Sequence, residues 1–536
     1  MKKLLTLSSF LVLVSLSLVF ARTGSLSSFV QSGEPASGEA LTAAGDLDTS
    51  FGGIGYRDLR LPGGRAAANQ SAIQPDGKIV VAGVAYNGIN NDIAVARYNA
   101  DGTLDTSFGN SGMAYVSMSA SRFSFDNSKC LVIQPDGKIV VAGESQISGA
   151  YDLTVVRLNP NGSLDTTFGT GGKVITNTLV YDRVSNIAIQ SDGKLIVGGY
   201  SCQSSTLCGG FVEAAWTLVR YNSNGSLDST FGTGGKVSTD LANGFPDQLW
   251  SLAVQPDGKI VAAGIVDIIN QSPGGIRGAV VRYNSNGTLD TSFNSTGIFI
   301  DPAVVFTDLA LQSDNKIVVS GYDRNLSDSL VARFSTNGSL DPTFDGDGKA
   351  IASFSGTDFD WLTSIVVKPD GRIAAAGYIA ASTNTLTEAS FLSDGSPDTA
   401  FGTGGRVVTS IIGTPSDTQV LSDASLIVTA KLTAEPSNFT TFKFNDAGAP
   451  VASFGTNGKV STATGQVGVS PSSVLTQPDG KILVGGPSTD DGLNGSVSVC
   501  RFLIDGSLDV SFAGTGCGKL DGYMSFESGD RIAGRW

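Results

Sequence analysis

The stretch Gln74-Pro-Asp-Gly-Lys-Ile-Val-Val-Ala-Gly83 decides how this chain is read. It opens with a Pro-Asp-Gly turn and runs directly into a β-branched segment, Ile79 to Val81, which is the signature of a hairpin followed by a buried strand. The same ten residues stand at 134–143. Close variants follow at 190–199, 255–264, 312–321, 368–377 and 477–486, and a worn copy, LSDASLIVTA, lies at 421–430. The eight copies are spaced by 53 to 65 residues. A second pattern, LDTSFG, starts at Leu47, Leu104, Leu164, Leu227, Leu289 and Leu340, and more loosely at Pro397, Pro450 and Leu508. An internal period of this size takes precedence over any domain count drawn from the length of 536 residues.

Each period reads as four short strands, here A to D from the inside outward. In the first repeat, A covers residues near 69–74 and the Asp76-Gly77 turn, whose residues tolerate positive φ, leads into B over Lys78–Ala82. C is Ile93–Tyr98, a turn follows at Asn99-Ala100-Asp101-Gly102, and D is Met113–Val116. No segment shows sustained helical periodicity with capping residues beyond the N-terminal apolar stretch. Four antiparallel strands repeated around the chain predict an all-β fold, a single β-propeller of eight four-stranded blades. Seven blades plus an extra half-repeat is the alternative. The nine copies of the second motif against eight of the first suggest that the ends of the chain meet to close the ring. Leu47 and Leu508 compete for the outer strand of the last blade. The repeat at 421–450 lacks the Gly-Lys pair (Ala424-Ser425) and the Leu-Asp pair (Pro450-Val451), and is expected to be irregular.

The two motifs in fixed order, QPDGKIVVAG and RYNADGTLDTSFG, resemble the delta-60 repeat family, exported bacterial β-propeller proteins of largely unknown function. The resemblance spans about residues 45–520 and implies fold and a surface or secreted role. It implies no activity. The remaining boundaries follow. Residues 1–21 read as a signal peptide, with Lys2 and Lys3, an apolar run from Leu4 to Phe20, and small residues before a cut after Ala21. Residues 22–44 form a low-complexity linker and 521–536 a tail. The mature chain carries no second long apolar run. A secreted, periplasmic or cell-surface monomer is expected.

Composition bounds the chemistry. There is no histidine, which removes Ser-His-Asp, Cys-His and His-zinc schemes. The formal charge of −14 makes nucleic acid an unsuitable partner, although with only seven Glu most of the acid is turn-forming Asp. Cys202 and Cys208 bracket a Ser/Thr-rich loop and are expected to form a disulfide. Cys130 reads as a core residue, and the pairing of Cys500 with Cys517 stays open. No cofactor is predicted, a cation at the channel mouth apart. An EF-type calcium loop at Asn99–Gly102 is disfavoured by Arg97, two residues before the Asn.

Residues that recur in every unit serve the repeat. The Phe of LDTSFG (Phe108, Phe168, Phe231 and their counterparts) is expected to plug the space between units. The basic residue ending strand C (Arg97, Arg157, Arg220) is expected to pair with the motif Asp (Asp105, Asp165, Asp228), with Ser390 the exception in the sixth repeat. The B–C and D–A loops vary and share one face, so that face is the expected interaction surface. On it, Asp126, Asp182, Asp247 and Asp360 recur eight residues before the first motif, beside Tyr181, Trp250 and Trp361. Two readings compete: acids and aromatics that bind a cation, sugar or basic peptide, or caps that seal the D–A turn. The function expected is a non-catalytic binding or adhesion scaffold for an extracellular protein or glycan. An Asp-dependent glycan hydrolase or lyase, and a passive structural surface protein, are the alternatives.

Overall fold

The second repeat shows how the motif builds a sheet. In the computed structural model, its strands are Asp126–Ile133, Ile139–Ile147, Ala150–Leu158 and Lys173–Thr176, each antiparallel to the next. The structure describes residues between 58 and 523, apart from short loop stretches, the longest being 204–213 and 268–274. In the A–B turn the Gln134 N–H donates to the Lys138 carbonyl at 2.8 Å, and the Gly137 N–H donates to the Gln134 carbonyl at 2.8 Å. Only Gly137 takes a positive φ (80°). Of the Asp-Gly pair, which tolerates this conformation, the glycine alone adopts it. Pro135 and Asp136 hold the ordinary turn and glycine alone absorbs the left-handed step.

Strand A carries a bulge in every repeat from the first to the seventh, for instance between Ser128 and Cys130. The bulge explains the glycine that ends the first motif. A Cβ on Gly143 would lie 1.9 Å from the Asn127 carbonyl oxygen, and Gly199, Gly264, Gly321 and Gly377 are equally confined.

The second motif joins each repeat to the one after it. Arg157 Nε donates to Asp165 Oδ2 at 2.7 Å, its guanidinium sits 4.5 Å above the Phe168 ring, and Nη1 reaches the Ser223 carbonyl in the next repeat's C–D turn. Arg97 and Arg220 repeat these contacts with Asp105 and Phe108, and with Asp228 and Phe231, reaching the Pro160 and Ser285 carbonyls. Phe108, Phe168 and Phe231 are each 0% exposed. Burial pushes the Asp165 carboxyl up, but hydrogen bonds from Thr167 and the charges of Arg157 and Lys138 outweigh it and hold the group at about 2.

The sixth repeat makes the same joint with different residues. Ser390 replaces the arginine and donates to Asp398 at 3.1 Å. The cation comes instead from Lys368, where most other repeats have Gln: its Nζ lies 5.5 Å from the Phe401 ring centre and 2.8 Å from Asp446 in the next C–D turn. Arg372 bridges Asp370, Asp398 and Asp446.

The all-β propeller stands, but eight separate four-stranded blades, and the alternative of seven with a half-repeat, do not. The strands form five sheets of consecutive strands, closed by a sixth that unites the two ends of the chain. Three of the five have four strands, one has eight and one has seven. The eight-stranded sheet arises because Tyr181 bridges Tyr151 across what would be a boundary. The seven-stranded sheet arises because Arg406–Val420 runs unbroken for 15 residues and pairs with Asn384–Phe391 near one end and Leu426–Leu432 near the other. In the closing sheet Cys517–Tyr523 pairs antiparallel with Gly495–Phe502, and Asp58–Pro62 adds outside it in parallel. The two ends do not exclude one another, as the competition between Leu47 and Leu508 had suggested. The C-terminal strand takes the D place and the N-terminal one covers its edge. Leu47 and Leu508 themselves, residues 1–57 and residues 524–536 lie outside the described residues. First and last repeats share one core, with Ile79 and Val81 packed among Leu475, Leu483 and Val499.

Candidate functional site on the variable face

The four recurring aspartates stand where strand A leaves the variable face, and each turns inward. Asp126 accepts hydrogen bonds from the Met118 N–H at 2.7 Å and Ser124 Oγ at 2.9 Å. Asp182 accepts from the N–H groups of Thr178 at 3.0 Å and Leu179 at 3.3 Å. Asp247 accepts from the Leu241 N–H at 2.6 Å, and Asp360 from Phe354 at 2.7 Å and Ser355 at 3.2 Å. All four are 0–1% exposed. They close the D–A turn by satisfying its backbone N–H groups, as short acceptor side chains do. Burial raises the Asp126 and Asp360 carboxyls, while those same hydrogen bonds pull them down.

The aromatics are another matter. Trp361 lies 4.1 Å from Tyr322 and 6.3 Å, within 4° of parallel, from Tyr378. Trp250 and Trp361 both pack on Ile265, Val305 and Tyr322, and Trp250 Nε1 donates to Gln248 Oε1 at 3.2 Å. Trp250, Trp361 and Tyr378 remain partly exposed, and Phe359 beside them is half exposed. Tyr181 belongs to a second group. Its ring lies 4.7 Å from that of Tyr151, tilted by 45°, and Phe125 meets Tyr151 edge-on at 6.5 Å. Sequence reasoning missed the charged centre of this group, Lys129, Glu144 and Arg183. No motif marks these residues. Their signal is departure from the repeat, and Glu144 is one of only seven glutamates in the chain.

Cys202 is disulfide-bonded, and Cys208, its expected partner, lies outside the described residues. Cys500 is also disulfide-bonded and stands opposite Cys517 in the strand register. Cys130 is a free buried thiol in the core, which burial pushes far above its ordinary range. Among the described residues no group of three or more His, Cys, Asp or Glu is placed to hold a metal ion, and no helix is long and apolar enough to cross a membrane.

Compared with known families, the chain matches a β-propeller domain of unknown function (DUF5122) over residues 74–108, 134–168, 190–231, 255–293, 312–344 and 477–512. The matched segments are the two motifs and the strands between them, so they support a β-propeller repeat family. No curated protein matches the chain. Among solved structures it is similar to a polysaccharide lyase, an ulvanlyase, at 12% identity and a TM-score of 0.39, covering 73% of this chain and 96% of that one. A protein of unknown function from Dyadobacter fermentans matches at 11% and 0.34, covering 82% and 96%. Prolyl oligopeptidase B from Galerina marginata matches at 11% and 0.43, covering 83% of this chain and 56% of that one. These likenesses bear on fold alone.

Proposed function

We propose that the chain is an exported, non-catalytic propeller that binds an extracellular protein or glycan through its variable face. One observation carries this reading. The turn face repeats nearly the same residues around the ring, the sixth and seventh repeats apart, whereas in the other repeats the departures gather at the opposite ends of strands A and B. The residue after the motif glycine is Val84, Glu144, Tyr200, Ile265, Tyr322 and Tyr378 in the first six repeats. Every one of those repeats folds, so the sheet does not require the aromatics, and partly exposed Trp and Tyr side chains are suited to contact surfaces. The four aspartates support the scaffold and do not face a ligand.

Glycan arrays and pull-downs with the mature chain test the reading. Binding that falls at least tenfold in Trp361→Ala, with the melting temperature held, is the expected result. Turnover of a glycan, abolished by a single Asp→Asn change, would replace this reading with the hydrolase or lyase.

A further inference from the structure

Glu144 is 1% exposed, yet it is a carboxylate in a place that the other five of the first six repeats fill with Val, Tyr or Ile. Two cations meet it there. Arg183 Nη1 lies 2.5 Å and Lys129 Nζ 3.4 Å from its Oε1, and the Val184 N–H donates to Oε2 at 3.3 Å. Both cations are also departures. The bulge position of Lys129 is Asn69, Ser185, Trp250, Thr307 or Thr363 in neighbouring repeats, and the position of Arg183, directly after the capping Asp, is Asn127, Gln248 or Trp361. The flanking Asp152 and Asp182 carboxylates turn into the D–A turn, where they hold Asn177 and Thr178. Two cations on one buried carboxylate leave one positive charge in excess. The lysine and arginine side chains are 34% and 32% exposed. Arg183 lies 4.9 Å from the Tyr181 ring centre and 5.8 Å from that of Tyr151, and Phe125 beside them is 37% exposed.

We propose that this corner of the variable face binds an anionic sugar residue of a glycan, its carboxylate or sulfate held by Arg183 and Lys129 and its ring face laid against Tyr151 and Phe125. The inference rests on the reading of the variable face as the binding surface. The buried Glu144 orients the guanidinium from beneath and leaves its remaining N–H groups for the ligand, and a planar fork suits an oxyanion. The aromatic rings supply the flat apolar wall that an isolated anion would not need. An acidic peptide is the less suitable occupant. Extended peptides are held along a free strand edge, and here Tyr181–Ile189 is paired to Leu195–Cys202 on one side and bridged to Tyr151 at its start on the other.

Calorimetric titration of the mature chain with oligogalacturonate, a sulfated dextran oligomer, a neutral maltooligosaccharide and a polyglutamate peptide tests the proposal. The expected result is binding of the carboxylated or the sulfated glycan at least tenfold tighter than the neutral one. It should weaken with salt and fall tenfold or more in both Arg183→Ala and Tyr151→Ala, with a cooperative melt retained in each and, in Arg183→Ala, a lowered midpoint from the weakened buried pair. The two anionic arms show whether carboxylate or sulfate is preferred. Polyglutamate binding as tightly as the glycans, neutral and anionic glycans binding alike, or no binding to any arm would overturn it. Glycan binding that survives Arg183→Ala but is lost in Trp361→Ala would overturn this inference and leave the variable-face reading standing.

Discussion

Ala424 closes the A–B turn of the seventh repeat with a φ of 63°, where most other repeats place glycine and the fifth places Asn315. An alanine held there is strained by about 1 kcal/mol. Ala424→Gly should therefore raise stability by about 0.5–1 kcal/mol, read from urea unfolding. Glu388 is a second misfit. It lies two residues before Ser390, a place that is Val95, Val155, Leu218, Val280, Val331 or Val499 in six other repeats and Thr441 in the seventh. It is 0% exposed, and neither carboxyl oxygen has a hydrogen-bond partner among the described residues. Burial raises this carboxyl well above its ordinary 4.5, with only the charge of Lys368 opposing. In the unfolded chain the group loses its proton near 4.5, while in the fold it keeps it. Folding is thus penalised increasingly as the pH rises above that value. Glu388→Leu should stabilise the protein by about 1–3 kcal/mol at pH 7 and by much less at pH 4, measured by unfolding at both.

At the scale of the strand, the bulge of strand A and the glycine opposite it are one device. Gly143→Ala would drive a methyl into the Asn127 carbonyl and should cost about 1–3 kcal/mol, visible as a lowered urea midpoint. Most of this level could be read from the chain. The turn residues marked the hairpins, the β-branched runs marked strands B and C, and recurrence marked Arg157, Asp165 and Phe168 as parts of the joint between repeats. What could not be read is how the strands combine into sheets. That depends on one backbone bridge at Tyr151 and Tyr181 and on the unbroken strand Arg406–Val420, neither of which has a composition signal. The candidate site was legible in part. Trp250, Trp361 and Tyr181 stood out as aromatics on the variable face. The aspartates beside them recur at one offset in four repeats because each accepts the backbone N–H groups of its own D–A turn. Lys129, Glu144 and Arg183 come together only through cross-strand packing of repeats two and three, which spacing along the chain does not reveal.

The whole ring should be sensitive to acid. Burial raises the carboxyls of Asp165 and Asp341, but hydrogen bonds and neighbouring cations outweigh it and bring them from 3.8 to about 2, and Asp105, Asp228 and Asp290 fall in the same direction. Their contribution is fully present above the unfolded value near 4 and is lost as the pH falls through the folded values. Thermal melts at pH 7, 4 and 2 should show the steepest loss between the last two. Because these groups recur in successive joints, the loss is expected as one cooperative step.

The strand Asp58–Pro62 pairs with Cys517–Tyr523, at the far end of the chain. Synthesis delivers the first of these long before the second. Until the last residues emerge, the growing polypeptide is a string of hairpin units with one open end and one unclaimed strand, and a closure of such long sequence separation is intrinsically slow. The latch therefore also acts as a timer, postponing the final locked state until Cys517–Tyr523 has been made.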